Sequence, residues 1–328
     1  MPRNTVRLTS EHHGEPITLR DTTGSANPDR CVRDTLETFA TAFPNRVRAC
    51  YLDGSHVDRT SLHTSDLDLI IVFEDWFEDE KERARAEELA RRRAGSSEVA
   101  LDSAVIAESD LSHGVPPMLK LASRLLYGDD VLADLPLLEI EEWTRDRMHA
   151  AYWLVVNVFH RSPVVRLSLG YPDPDGEFFG YDNRSVRGAD GVEFPSTRNL
   201  VQVTGWMATA LVAFVAREYV PSKRRCHELY RLHVGDGWSS LLDEVYTVCR
   251  GRWSYLIPPA PSDQEQLRAS CARTLAFENH FMMRYHDFRL PELRSGVDQA
   301  LWLQGQFRST MRTCTSLWSR SLAPLTSR

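Results

Sequence analysis

Leu67-Asp68-Leu69-Ile70-Ile71-Val72-Phe73 constrains this chain more than any other stretch: an apolar run broken only by Asp68 and entered through Ser65-Asp66. It reads as a strongly apolar strand. Successive side chains in a strand point to opposite faces. Asp66 and Asp68 therefore share one face at the strand's start, while Leu67, Leu69, Ile71 and Phe73 share the other. Two neighbouring carboxylates repel, so a fold that keeps them needs a cation between them or open water around them. Magnesium is held by one or two carboxylates together with phosphate oxygens, and the pair points to nucleotide chemistry. An isolated Asp-x-Asp is more often a solvated strand mouth, so its neighbours decide the matter.

Three neighbours count. Val47 to Tyr51 read as a short strand leading into Gly54-Ser55, at loop distance before the acids. Apolar residues follow the acids directly. A third acid, Asp102, lies in Val99-Ala100-Leu101-Asp102-Ser103-Ala104-Val105-Ile106, a third expected strand. By alternation Asp102 shares its face with Ala100 and Ala104, and a carboxylate between small residues has room beside it for an ion and a phosphate chain. An unpaired Asp inside an apolar strand would otherwise carry a desolvation cost.

Gly54-Ser55, Ser65-Asp66-Leu67-Asp68-Leu69 and Leu101-Asp102-Ser103-Ala104-Val105 together resemble the active-site signature of the polymerase-β-like nucleotidyltransferases. Their spacing is most similar to the aminoglycoside adenylyltransferases. The resemblance is strong over residues 46–106 of the 328. It implies Asp66, Asp68 and Asp102 as catalytic and metal-holding carboxylates for two Mg²⁺, and Gly54, Ser55 and Ser65 as residues that meet the nucleotide. It implies ATP as co-substrate. Further on, Arg217-Glu218-Tyr219-Val220-Pro221-Ser222-Lys223 resembles the family's second-domain turn, whose lysine reaches the ATP phosphates. Lys223 is the matching position, and Ser222 can cap the helix that follows.

The chain also departs from the family. Ala208 to Ala216 offers no cation where an arginine is expected, and Pro195-Ser196-Thr197 replaces the acidic residues that help hold an aminoglycoside. Asp182, Asp190 and Glu193 are the nearby substitutes. These departures bear on the acceptor more than on the reaction. The expected acceptor is a hydroxyl of a small molecule, either aminoglycoside-like or a natural-product intermediate. The alternatives are transfer to RNA, tRNA or protein, and a non-catalytic nucleotide-binding module.

Length and composition bound the rest. A chain of 328 residues with 42% hydrophobic and 26% charged residues is ordinary for a globular protein of two domains. A net charge of −7 makes nucleic acid an unexpected partner and suits a cationic small molecule better. The six cysteines have no metal-finger spacing. With no secretory signal at the start, reduced thiols in the cytoplasm are expected. The apolar block Trp206 to Ala216 is too short to span a bilayer, so no membrane association is expected.

The expected fold class is α+β: a polymerase-β-like nucleotidyltransferase domain with a mixed sheet and helices, followed by an α-helical bundle. Residues 1–29 read as an N-terminal arm, 30–134 as the nucleotidyltransferase domain and 135–328 as the helical domain. Asp-Gly between apolar-aromatic runs predicts a hairpin insert or a long loop over 164–181. A helix is predicted over Met118 to Leu126, and helices over Asp263 to Tyr285 and Gly296 to Leu317 close the chain.

Overall fold

The computed structural model describes residues 17–57, 61–62, 65–159, 168–187 and 192–295. The chain divides into two compact units. One comprises Met1–Arg59, Asp66–Ser112 and Ser123–Leu135; the other comprises Thr60–Ser65, His113–Ala122 and Pro136–Arg328.

The first unit is α+β. Helix α1 (Ala26–Ala42) precedes strand β1 (Val47–Asp53), β2 (Leu67–Phe73), helix α2 (Glu80–Ser96) and β3 (Leu101–Ala107). Past α3 (Pro117–Ala122), which belongs to the second unit, β4 (Arg124–Gly128) completes a mixed sheet in the order β3-β2-β1-β4. The pair β2–β3 is parallel, and β1 is antiparallel to both β2 and β4. A helix spacing of four, three and four residues puts Val32, Leu36, Phe39 and Phe43 on one line. That line buries itself on Leu67, Leu69, Ile71 and Phe73, the sheet face predicted from alternation. Phe73 meets Phe43 edge-on, with ring centroids 5.2 Å apart, an arrangement the aromatic quadrupole favours.

Two polar devices fix the ends of these elements. The Arg46 guanidinium grips both carboxylate oxygens of Glu82 at 2.9 and 3.0 Å, and donates to the carbonyls of Glu74 at 3.1 Å and Trp76 at 2.6 Å. One side chain thus ties the start of β1 to the end of β2 and the first turn of α2. Asp79 caps α2 by accepting from the Glu82 amide at 2.7 Å. At the other end of β1's neighbourhood, the Tyr51 hydroxyl donates to Asp130 at 3.0 Å and accepts from the Val131 amide at 2.8 Å, pinning the chain beyond β4. Burial, reinforced by the Asp130 carboxylate, pushes the Tyr51 phenol well up, so it stays neutral.

Strand β4 is where the predicted Met118–Leu126 helix fails. The helix stops at Ala122, and Arg124–Gly128 pairs with β1 instead. Leu125, Leu126 and Tyr127 satisfy either period over so short a span; an open β1 edge decides the outcome. Gly128, at φ +77°, sits where a Cβ would come 2.0 Å from the Arg48 carbonyl oxygen, so no other residue fits this close strand approach.

The second unit is mainly helical. Helix α4 (Ile140–Val158) packs on α5 (Arg198–Leu211), which also contacts α6 (Cys226–His233) and α8 (Pro261–Ser295). Helix α7 (Ser239–Glu244) joins the same core. Nearly every side chain of α5 is buried. The wider π-helical turn Val212–Ala216 extends it to a left-handed Arg217 at φ 56°. Arg198–Ala216 is by length and composition long and apolar enough to cross a membrane, but 78% of it is buried inside the fold; it is a core helix here. In α5, the Tyr246 hydroxyl approaches Gly205 so closely that a Cβ there would lie 2.3 Å from it.

Of the two forms expected for 164–181, its described part takes the loop, and the hairpin falls elsewhere. The described part of 164–181 is a chain of turns, while the antiparallel pair is β5 (Arg184–Arg187) with β6 (Glu193–Ser196), in register Arg184↔Ser196. Asp173 accounts for the difference. Its backbone carbonyl accepts from the Gly176 amide at 3.2 Å, and its amide donates to the Phe179 carbonyl at 3.0 Å, closing the Asp-Gly stretch on itself. The helix predicted over Gly296 to Leu317 lies outside the described residues. Cys31, Cys50, Cys226, Cys249 and Cys271 are buried free thiols. Burial pushes Cys50, Cys226 and Cys249 up to about 12.

Candidate active site

The sheet registers bring together residues that spacing alone leaves apart. Antiparallel pairing sets Asp53, the last residue of β1, opposite Asp68. Parallel pairing sets Asp68 beside Asp102. Paired residues on adjacent strands share a face, so Asp53, Asp68 and Asp102 form one row across three strands. Strands lie about 4.8 Å apart. The next rows on that face are Tyr51, Ile70 and Ala104, then Ala49, Val72 and Ile106, all buried. Asp68 and Asp102 keep partial exposure, whereas Asp53 is 6% exposed. Asp66 lies just ahead of β2, half-buried, two residues from Asp68.

Beyond Asp53 the chain makes one 3₁₀ turn, Gly54–His56. Gly54 has φ +71°, and a Cβ built there would lie 2.1 Å from Oδ2 of Asp68. The main chain of the Gly-Ser turn therefore rests directly against the Asp68 carboxylate, in a conformation and at a distance that only glycine allows. Ser55 follows, half-buried. His56 is 8% exposed, and its Nε2 has no hydrogen-bond partner among the described residues. Burial holds the imidazole below its ordinary pKa, opposed by the negative charge of Asp66.

The two remaining predicted residues belong to the second unit. The Ser65 hydroxyl accepts from the Leu62 amide and its own amide donates to the Leu62 carbonyl, both at 2.9 Å, so Ser65 closes a tight turn ahead of Asp66. Lys223 opens the 3₁₀ turn Lys223–Arg225 that leads into α6, and Ser222 caps that turn by accepting from the Arg224 amide at 3.4 Å. Lys223 is half-buried. Of the substitute acids for an acceptor, Asp182 is half-buried, Glu193 opens β6 and is exposed, and Asp190 lies outside the described residues.

Among the described residues, no three or more His, Cys, Asp or Glu side chains are gathered into a metal-binding group. Asp53 and His56 are the two residues of this neighbourhood that sequence reasoning missed. Asp53 adjoins Gly54-Ser55 in the sequence, but only the β1–β2 register reveals that it faces Asp68.

No family model matches the chain, and no curated protein matches it. A solved structure of spectinomycin adenyltransferase AAD(9) from Enterococcus faecialis, with ATP and spectinomycin, is similar over 77% of this chain and 98% of that one. The two share 12% sequence identity and superpose with a TM-score of 0.45.

Proposed function

We propose that the chain is a nucleotidyltransferase that moves AMP from ATP to a hydroxyl of a small molecule. The observation that carries this reading is the row of carboxylates with the glycine turn pressed on its centre: Asp68 beside Asp102, and Gly54 against Asp68. All-oxygen donors of this kind suit a hard divalent cation whose remaining positions are taken by phosphate oxygens and water. Two adjacent carboxylates are enough for such a site when a nucleotide supplies the rest, so the residues fit Mg²⁺. Asp66, Asp68 and Asp102 are the residues that would hold it. Bound there, Mg²⁺ would offset the charge of the triphosphate and of the departing pyrophosphate.

The chain's own groups do the rest. Asp102 accepts the proton of the acceptor hydroxyl as its oxygen bonds to the α-phosphorus. The bond from that phosphorus to the bridging oxygen breaks, and pyrophosphate leaves with the electron pair. The amides of the Gly54–His56 turn and the Ser55 hydroxyl hold phosphate oxygens, as backbone donors in tight turns do. Ser65 supports the turn that delivers Asp66, and Lys223 neutralises charge on the leaving pyrophosphate. The acidic total of −7 favours a cationic acceptor such as a hydroxylated amine.

The test is transfer of label from α-phosphate-labelled ATP to a library of hydroxylated amines and natural-product intermediates, read by mass. Asp102→Asn should fold normally and lose about 10²–10⁴-fold in rate, the usual worth of a positioned base. Full transfer by that variant would overturn the assignment.

A further inference from the structure

Lys223 stands on a turn too short to hold its own shape. Lys223–Arg225 make one 3₁₀ turn, closed by the Arg225 amide on the Ser222 carbonyl at 3.0 Å and by the Ser222 cap on the Arg224 amide. A single turn fixes many dihedrals for few hydrogen bonds, so its geometry depends on the side chains fastened to it. His227, in the first turn of α6, is one that reaches back: its ring hydrogen-bonds the main chain of Arg224, the middle residue of the Lys223 turn. Burial holds this imidazole below its ordinary pKa, against the pull of Asp243 and Glu228. The ring is therefore neutral at pH 7, with one N–H to give.

The His227 ring is itself held. It stacks on Tyr246, with ring centroids 4.9 Å apart and planes within 11°. Tyr246 belongs to the π-helical segment Val245–Arg252 and is 8% exposed. Its hydroxyl bonds the thiol of Cys226, the residue before His227, and lies against Gly205 of α5. One tyrosine thus ties the buried helix α5 to the start of α6, and His227 carries that tie on to the Lys223 turn. We propose that His227 is a positioning residue for Lys223: it fixes the turn from which the lysine meets the leaving pyrophosphate, without itself touching the nucleotide. The inference rests on the nucleotidyltransferase reading and deepens it at one residue.

The experiment measures, on the intact chain, binding of ATP with Mg²⁺ and of AMP, which lacks the pyrophosphate portion, by calorimetry, and unfolding by thermal melting. His227→Phe keeps a ring to lie on Tyr246 but no N–H, and His227→Gln keeps an N–H. Lys223→Met should bind ATP about tenfold more weakly, the worth of a bond to a charged group. His227→Phe should lose about threefold of this, and His227→Gln should recover part of it. AMP affinity should be unchanged, and the melting temperature should fall by about 2–4 °C at most. In the Lys223→Met background His227→Phe should cost nothing further, because a residue that acts through another is not additive with it. A full second loss in that background would overturn the proposal, as would wild-type ATP affinity in either single variant. So would parallel losses for ATP and AMP with a larger fall in melting temperature, the signature of a packing role. A wild-type chain that binds no ATP at all would remove the nucleotide reading itself, and this inference with it.

Discussion

Gly54→Ala is the substitution for which the structure makes the sharpest demand. The new Cβ would lie 2.1 Å from Oδ2 and 3.1 Å from Cγ of Asp68, where real Cβ contacts stay beyond 3.0 Å. Either the Asp68 carboxylate swings away or the turn moves. The φ of +71° adds its own cost of about 1–2 kcal/mol for any residue with a Cβ. The Asp68 side chain is the softer party, so the clash should relieve itself chiefly by turning that carboxylate out of the row it forms with Asp102. The stability loss is then expected to stay at about 1–2 kcal/mol, near the backbone cost alone. The catalytic loss should be much larger, since a displacement of about 1 Å at reacting groups costs about 10²-fold. Urea unfolding and label transfer from ATP on the same preparation separate the two. A variant with full transfer and full stability would refute the close approach of Gly54 to Asp68. A loss of several kcal/mol would instead mean that the turn yields rather than the carboxylate.

The matching control is Gly95→Ala near the end of α2, where a Cβ meets nothing within 4 Å; it should stabilise the chain by about 0.5–1 kcal/mol in urea unfolding. Glu82→Gln, which weakens the two-pronged grip of Arg46 on a side chain only 10% exposed, should cost about 1–3 kcal/mol in the same assay. The pH dependence of stability should follow from Asp29 and Glu82. Burial alone would raise both carboxyls, but hydrogen bonds from Thr22 and Thr23 to Asp29, and from Arg46 to Glu82, outweigh it and hold both below their ordinary values of 3.8 and 4.5. With folded pKa values below unfolded ones, their contribution is complete above those ordinary values and is lost as pH falls through the folded values. Thermal melts should therefore begin to fall below about 6.5, where the histidines His56, His227 and His280 that burial holds low take up protons on unfolding, and should fall further below about 4.5, a part that Glu82→Gln should blunt.

Which of these features the sequence discloses depends on whether they are local. The face on which Asp68 stands follows from alternation within one strand, and the burial of Leu67, Leu69, Ile71 and Phe73 agrees with it. The exposed character of α2 is legible in its charge density, and only Ala86, Ala90 and Glu82 of that helix are buried. Strand β4 is not legible, because Leu125-Leu126-Tyr127 carries no period long enough to distinguish helix from strand. What makes it a strand is an unfilled edge of β1, which belongs to another part of the chain. The misplaced hairpin has a similar origin. Asp-Gly marks a turn wherever it falls, but a hairpin also needs two segments free to pair, and here the turn folds onto Phe178 and Phe179 in the packed interior.

Asp53 illustrates the same limit at the site, and its consequence is electrostatic. Alternation gives each acid a face but not a neighbour; register supplies the neighbour. With Asp53 opposite Asp68 and Asp102 on its other side, Asp68 stands between two carboxylates instead of beside one. Every row behind them on that face is buried and apolar or phenolic. The glycine turn is pressed on the middle acid of the row. On the proposed function, a magnesium-bound nucleotide would bring positive charge to this end of the sheet. On that proposal Asp53→Asn, at the more deeply buried position, should weaken the Mg²⁺ dependence of label transfer less than Asp68→Asn does.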